Sequence, residues 1–280
     1  MAGVCRCRRT YECCFAAAVS FLSLGALLIA APVPARAADW LGDLPLRGSL
    51  LGTPVGWDGL YIGGAMGIAN SDTDYSDSTH DFVSYSLRET ALGSQNMPQD
   101  WTVLESDISH GRSYGGFIGY NVTWDQVVLS AEIAYNKGSG FDSSATGSIY
   151  RSVNNNNGTD YVYISATNSL QLNDYGTVRA RIGYAFGQFL PYGFVGAAVG
   201  RFNYSSNMYL SVSGADTGTF TQTETQNDAI IAGVTAGLGA DVALTPNVFL
   251  RGEWEFIAFA QYKGIRVNTN TARAGIAIRF

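Results

Sequence analysis

From Trp57 to the last residue, apolar and polar side chains alternate with a period of two, and that period predicts β-strands rather than helices. Eight strands are expected at about 59–69, 113–123, 126–136, 174–186, 189–204, 229–243, 247–260 and 271–280. In 174–186, Val178, Ala180, Ile182, Tyr184 and Phe186 share one face, and Thr177, Arg179, Arg181 and Gly183 the other. In 126–135, Val127, Leu129, Ala131, Ile133 and Tyr135 oppose Ser130 and Glu132; in 229–243 the opposing polar face carries Asp241. In 247–260, Leu250, Trp254 and Phe256 oppose Arg251, Glu253 and Glu255. Three connections carry tight-turn chemistry, at Thr123-Trp124-Asp125, Gly187-Gln188 and Leu244 to Asn247. The other four are long, about 71–112, 137–170, 205–228 and 261–270. Long and short connections alternate strictly, so an antiparallel meander gathers every long loop at one end.

Two architectures satisfy this alternation. A secreted β-sandwich would pack the apolar face inward, whereas a transmembrane barrel would turn it toward lipid and line its lumen with the charged face. The placement of aromatics favours the barrel. Tyr120, Trp124, Tyr184, Phe186, Tyr192, Phe249 and Phe280 are expected at one membrane interface; Tyr135, Tyr175, Phe202, Tyr204 and Tyr262 are expected at the other. The charged face favours it too. Arg179, Arg181, Arg201, Arg273 and Arg279 against Glu132, Asp241, Glu253 and Glu255 make a nearly neutral, lysine-poor set suited to pairing in a narrow lumen. The expected fold is therefore all-β: an eight-stranded antiparallel up-and-down transmembrane β-barrel with long extracellular loops, closed because lipid tolerates no unpaired strand edge.

The beginning of the chain adds a destination. Arg6, Arg8 and Arg9, an apolar run from Phe15 to Ala31 and the small-x-small sequence Ala35-Arg36-Ala37 predict a cleaved secretory leader over residues 1–37. Residues 38–56, with Pro45 and Pro54, read as an irregular lead-in, and 57–280 as the barrel domain. All four cysteines fall in the leader, so the exported part has neither disulfide nor thiolate site. Without the leader, 13 Lys and Arg face 22 Asp and Glu, a net charge of −9 that excludes a nucleic-acid binder.

Several stretches resemble one family. Trp57-Asp58-Gly59-Leu60-Tyr61-Ile62-Gly63-Gly64 resembles the first strand of the OmpA-like, opacity-type (porin family) outer membrane β-barrels of alphaproteobacteria. Tyr114 to Asn121 resembles the second strand, Gly176 to Tyr184 the fourth, and the terminal ARAGIAIRF the last. The resemblance implies residence in the outer membrane of a Gram-negative cell, contact with outer-membrane lipid and lipopolysaccharide, and recognition of the strand ending in Phe280 by the barrel-assembly machinery. It also implies a surface antigen or envelope protein, without cofactor.

Other chemistry is sparse. Glu253 and Glu255 are expected as partners of lumen arginines rather than as catalytic carboxylates. His80 and His110, both in the first long loop, are the whole histidine complement, and a lipid-modifying hydrolase would have to rest on them. Asp72, Asp74, Asp77, Asp81, Glu89, Asp100, Glu105 and Asp107 make that loop acidic. The functional expectation is a structural, surface-exposed barrel with a lumen plugged by ion pairs. A narrow ion or small-solute channel is the alternative, and any host ligand of the loops is unspecified.

Overall fold

The computed structural model describes residues 56–88, 101–155, 158–214 and 217–280. The predicted leader and nearly all of the lead-in lie outside these residues, as do Glu89 and Asp100. Nine strands and one helix follow in the order β1 (Gly59–Asp74), α1 (His80–Leu87), β2 (Asp107–Trp124), β3 (Val127–Ser139), β4 (Asp142–Asn155), β5 (Gly158–Tyr184), β6 (Phe189–Ser213), β7 (Gly218–Ala243), β8 (Val248–Phe259) and β9 (Arg266–Arg279). Eight of them, all but β4, form an antiparallel ring that closes where β9 pairs with β1 from Tyr61↔Arg279 to Asp74↔Arg266. The last residue is held as well: the Phe280 N–H donates to the Leu60 carbonyl. The three tight turns fall where the sequence places them, and Asp125 and Gly187 supply the left-handed backbone two of them require.

The outer wall of the ring is apolar. Leu60, Ile62, Ile118, Leu129, Ile133, Val178, Ile182, Val234, Leu250 and Ile276 are exposed on it, an arrangement that water penalises and lipid favours. On β2 the outward positions from Tyr114 to Trp124 span ten residues, which at ~3.3 Å per residue and ~40° tilt is a height of about 25 Å, the apolar thickness such barrels present.

Two of the expected long loops are sheet instead. β4 forms a hairpin with β5, and β5, β6 and β7 continue far beyond the ring as a four-stranded sheet, β4-β5-β6-β7. The expectation stopped each strand at the length that crosses a bilayer. Alternation nonetheless runs on in Val162-Ile164-Ala166 and Met208-Leu210-Val212, whose side chains bury on one face. Bulges at Leu172/Asp174 and Phe202/Tyr204 mark the level where this sheet leaves the ring. The first leaves Asn173 of β5 unpaired, and the second sets Asn203 of β6 against Asn227 and Asp228 of β7, so β5 and β7 each gain one residue and switch inward parity while β6 does not: β5 buries Tyr175, Thr177 and Arg179 below, Leu172 and Leu170 above.

The sheet encloses an apolar core that runs on into the residues above the ring's charged layer, Tyr175, Phe202 and Phe259. On α1, Phe82, Val83 and Leu87 form a buried stripe that joins Trp101, Val103 and Leu104 against the strands' inner face. Gly147 on β4 permits this, because a Cβ there would collide with the Val103 carbonyl oxygen. The Tyr75 hydroxyl donates to the Ser143 carbonyl at 2.9 Å, and the Asn168 amide donates to the Ser78 hydroxyl at 2.9 Å.

Candidate functional site

Alternation delivers four arginines and four carboxylates into the ring's interior: Arg179 and Arg181 from β5, Arg251 from β8, Arg273 from β9, Glu132 from β3, Asp241 from β7, and Glu253 and Glu255 from β8. Every one of these side chains is almost wholly shielded from solvent. Glu132 receives three guanidiniums, from Arg179, from Arg181 at 2.8 Å and from Arg251 at 2.7 Å. Arg179 also reaches Glu253 at 2.6 Å and Glu255 at 3.2 Å, and Arg273 lies 2.6 Å from each of the same two acids. Asp241 closes the set, 2.8 Å from Arg181 and from Arg251. β3 and β8 stand four places apart in a ring of eight, so the Arg251–Glu132 pair spans its full width.

Neutral groups complete the layer. The Tyr61 hydroxyl donates to Glu132 at 2.7 Å and accepts from Arg181 at 2.8 Å, Tyr192 donates to Glu253 at 3.0 Å, and Thr235 donates to Glu255 at 2.9 Å. Arg181 lies 3.7 Å above the Tyr192 ring, Arg251 4.1 Å above Phe117 and Arg179 4.5 Å above Phe194. These rings point inward because the facing residue on the next strand is glycine: Tyr61 over Gly119, Phe194 over Gly237 and Tyr192 over Gly239. The apolar floor at the tight-turn end holds Trp57, Leu190 and Phe249, and the roof holds Tyr175, Phe202 and Phe259. Between them a cavity of about 10 Å³ remains, lined by Phe117, Asn136, Arg179, Arg251, Glu253 and Arg273; that is room for about one water.

Of the nine residues expected in the lumen set, Glu132, Arg179, Arg181, Asp241, Glu253, Glu255 and Arg273 come together, and Arg201 and Arg279 do not. Arg201 points outward at the bulges, where it bonds Asp174 on β5 and lies 3.6 Å from Asp228 on β7. Arg279 turns inward, but at the floor; it donates to the Pro246 carbonyl and lies over the Trp57 ring at 5.4 Å. Arg251 takes part where those two were expected, and its signal was its shared parity with Glu253 and Glu255.

The aromatic expectation divides in the same way. Tyr120, Trp124, Tyr184, Phe186 and Phe280 are exposed on the outer wall at the tight-turn end, and Tyr135 stands on it toward the other. Phe202 and Tyr204 instead face inward, with Tyr175, Tyr192 and Phe249. An inward Arg201 implies an outward Phe202 and Tyr204, so one misplaced charge inverts the whole of β6.

The histidines do not meet. His80 opens α1 with Asp77 3.8 Å away, while His110 stands on the outer face of β2 with Nδ1 2.7 Å from Asn70 Oδ1. Among the described residues, no three His, Cys, Asp or Glu are placed to share a metal ion. An open hollow of about 290 Å³ at the long-loop end is lined by serine, asparagine, glutamine and threonine together with Leu170 and Tyr204, and Asp142 is its one carboxylate.

A family model described as an outer membrane protein beta-barrel domain matches residues 23–280. The 31 kDa outer-membrane immunogenic proteins of Brucella melitensis and Brucella suis are 28% identical over 236 residues, covering 80% of this chain and 84% of theirs. Among solved structures, the chain is similar to Ail, the attachment invasion locus protein of Yersinia pestis, at 14% identity and a TM-score of 0.33, covering 80% of this chain and 99% of that one. The N-terminal β-barrel domain of Pseudomonas aeruginosa OprF gives 13% identity and a TM-score of 0.34, covering 80% and 98%.

Proposed function

The chain belongs to the outer membrane protein β-barrel family and resides in the bacterial outer membrane, and we propose that it works there as a sealed anchor that displays a folded module at the cell surface. The observation that carries this reading is the lumen. Its arginine and carboxylate layer leaves a space of about 10 Å³ between an apolar floor and an apolar roof. A hydrated ion needs a continuous wet path, and moving it through this layer would require separating buried ion pairs. The energy of folding is spent on a rigid post, and the module above it carries the variable surface. A role in envelope integrity or in contact with another surface follows, in keeping with relatives named as immunogenic outer-membrane proteins.

Planar-bilayer recording of the purified barrel tests the seal. The expected record is silent. Steady single-channel steps that change in Arg251→Ala would establish the narrow channel in its place.

A further inference from the structure

On two adjacent strands the outer wall follows the same order. Outward positions on β2 run Trp124, Val122, Tyr120, Ile118, Gly116, Tyr114 and then Arg112; on β3 they run Val127, Leu129, Ala131, Ile133, Tyr135 and then Lys137. Each strand is thus uncharged across the apolar band, reaches a tyrosine, and two residues later presents a cation on the same face. The register brings the cations together. Lys137 stands opposite Tyr114 and Arg112 opposite Ser139, so the two are diagonal neighbours, about 7–8 Å apart at the backbone.

Both side chains are exposed, and among the described residues neither forms an ion pair or a side-chain hydrogen bond. Other cations near this level are committed: Arg201 to Asp174 and Asp228, and Lys263 to Glu224. Asp174, which stands opposite Lys137 on β5, is the acid that Arg201 holds. Two free cations side by side are unexpected in a chain with a net charge of −6, unless an anion from outside the chain sits between them.

We propose that Arg112 and Lys137 form a clamp for a phosphate group on a glycolipid of the outer leaflet, with Tyr114 and Tyr135 beneath them at the boundary between headgroup and acyl chain. The height fixes the source of the phosphate. Arg112 lies twelve residues above Trp124, about 30 Å along the membrane normal at ~3.3 Å per residue and ~40° tilt, which is where the hydrocarbon ends and headgroups begin. Tyrosine belts mark that boundary, and a cation just beyond one meets headgroup phosphates. Arginine's planar fork takes two phosphate oxygens, and the lysine ammonium adds a point charge from the neighbouring strand. The clamp requires only the outer-membrane placement and is indifferent to whether the lumen conducts.

The test is lipid retention by the purified mature barrel. The protein is exchanged into mixed micelles containing bisphosphorylated lipid A or its dephosphorylated form, and the lipid carried through gel filtration is counted by native mass spectrometry. Wild type is expected to retain the phosphorylated lipid about ten- to thirty-fold better. The double variant Arg112→Gln, Lys137→Gln should lose that preference while keeping its heat-modifiable mobility on denaturing gels, and Arg112→Lys should keep most of it. Equal retention of the two lipids by wild type, or an unchanged preference in the double variant, overturns the proposal. Displacement of the lipid by inorganic phosphate overturns the assignment to a lipid and leaves a soluble-anion site. If the double variant fails to fold, Lys137→Gln alone decides, with a loss of about five-fold expected.

Discussion

The ring and the module above it solve one problem in opposite ways. Both share the strands β5, β6 and β7, yet the ring fills its interior with eight charged side chains and the module fills its own with Phe82, Leu104, Ile164 and Leu210. The difference follows from what lies outside. In the ring the outer wall must be apolar for lipid, so period-two alternation sends the polar parity inward, where charges are tolerated only in neutralised, hydrogen-bonded sets. Above the membrane the wall can be polar, the inward parity of β5 and β7 switches at the bulges, and the interior reverts to an ordinary apolar core. Mutations should therefore fail differently in the two regions.

The largest effect is expected from Glu132→Gln, which removes one counter-charge from Arg179, Arg181 and Arg251 together. Breaking a buried set from one side costs about 3–5 kcal/mol. The temperature at which the compact gel band converts to the unfolded one should fall steeply. An unchanged conversion temperature would mean that the layer is not structural.

Next comes Leu210→Ala, fully buried in the module, with an expected cost of about 2–4 kcal/mol. Here limited proteolysis should cut the module while the barrel keeps its heat-modifiable band. Loss of both together would show that the regions fold as one cooperative unit and dissolve the contrast.

Tyr75 gives a smaller, pH-dependent effect within the module. Burial pushes its hydroxyl from the ordinary 10.0 up to about 12, so the neutral form is the one the fold prefers. A raised folded value means the stabilisation is whole below pH 10 and is lost as pH rises from 10 to 12. Protease sensitivity of the module should climb across that window, and Tyr75→Phe should flatten the rise.

The smallest effect is expected at the junction. Arg201 bridges the bulges of β5 and β7 from the outside, but its side chain is half exposed. Arg201→Ala should leave the conversion temperature of the barrel unchanged, because an exposed ion pair adds little to stability, and should be visible only as a slight increase in hydrogen exchange at Asp174 and Asp228. A collapse of the barrel would show that the junction, not the lumen, governs stability.

Much of this was legible in the chain. The eight ring strands, their antiparallel order, the tight turns and the inward parity of Arg179, Arg181, Glu132 and Glu253 follow from alternation, because successive strand residues face opposite sides whatever the rest of the molecule does. The apolar face of ARAGIAIRF and the terminal Phe280 follow from the same rule and from closure against β1. Alternation fails at a bulge, where one added residue inverts every face beyond it. The long-loop side of β5 and β7 was illegible for that reason, and β6 for another: with no inward charge to fix its parity, Arg201 pointed the wrong way.

Partnership was illegible for a different reason. Arg251 and Glu132 are 119 residues apart and meet only because a ring of eight strands brings opposite walls together. Alternation along the chain settles which side chains face inward for most of the ring. Closure of the ring decided which of them touch, since the distance across a barrel is set by the number and stagger of its strands and is written in no single strand.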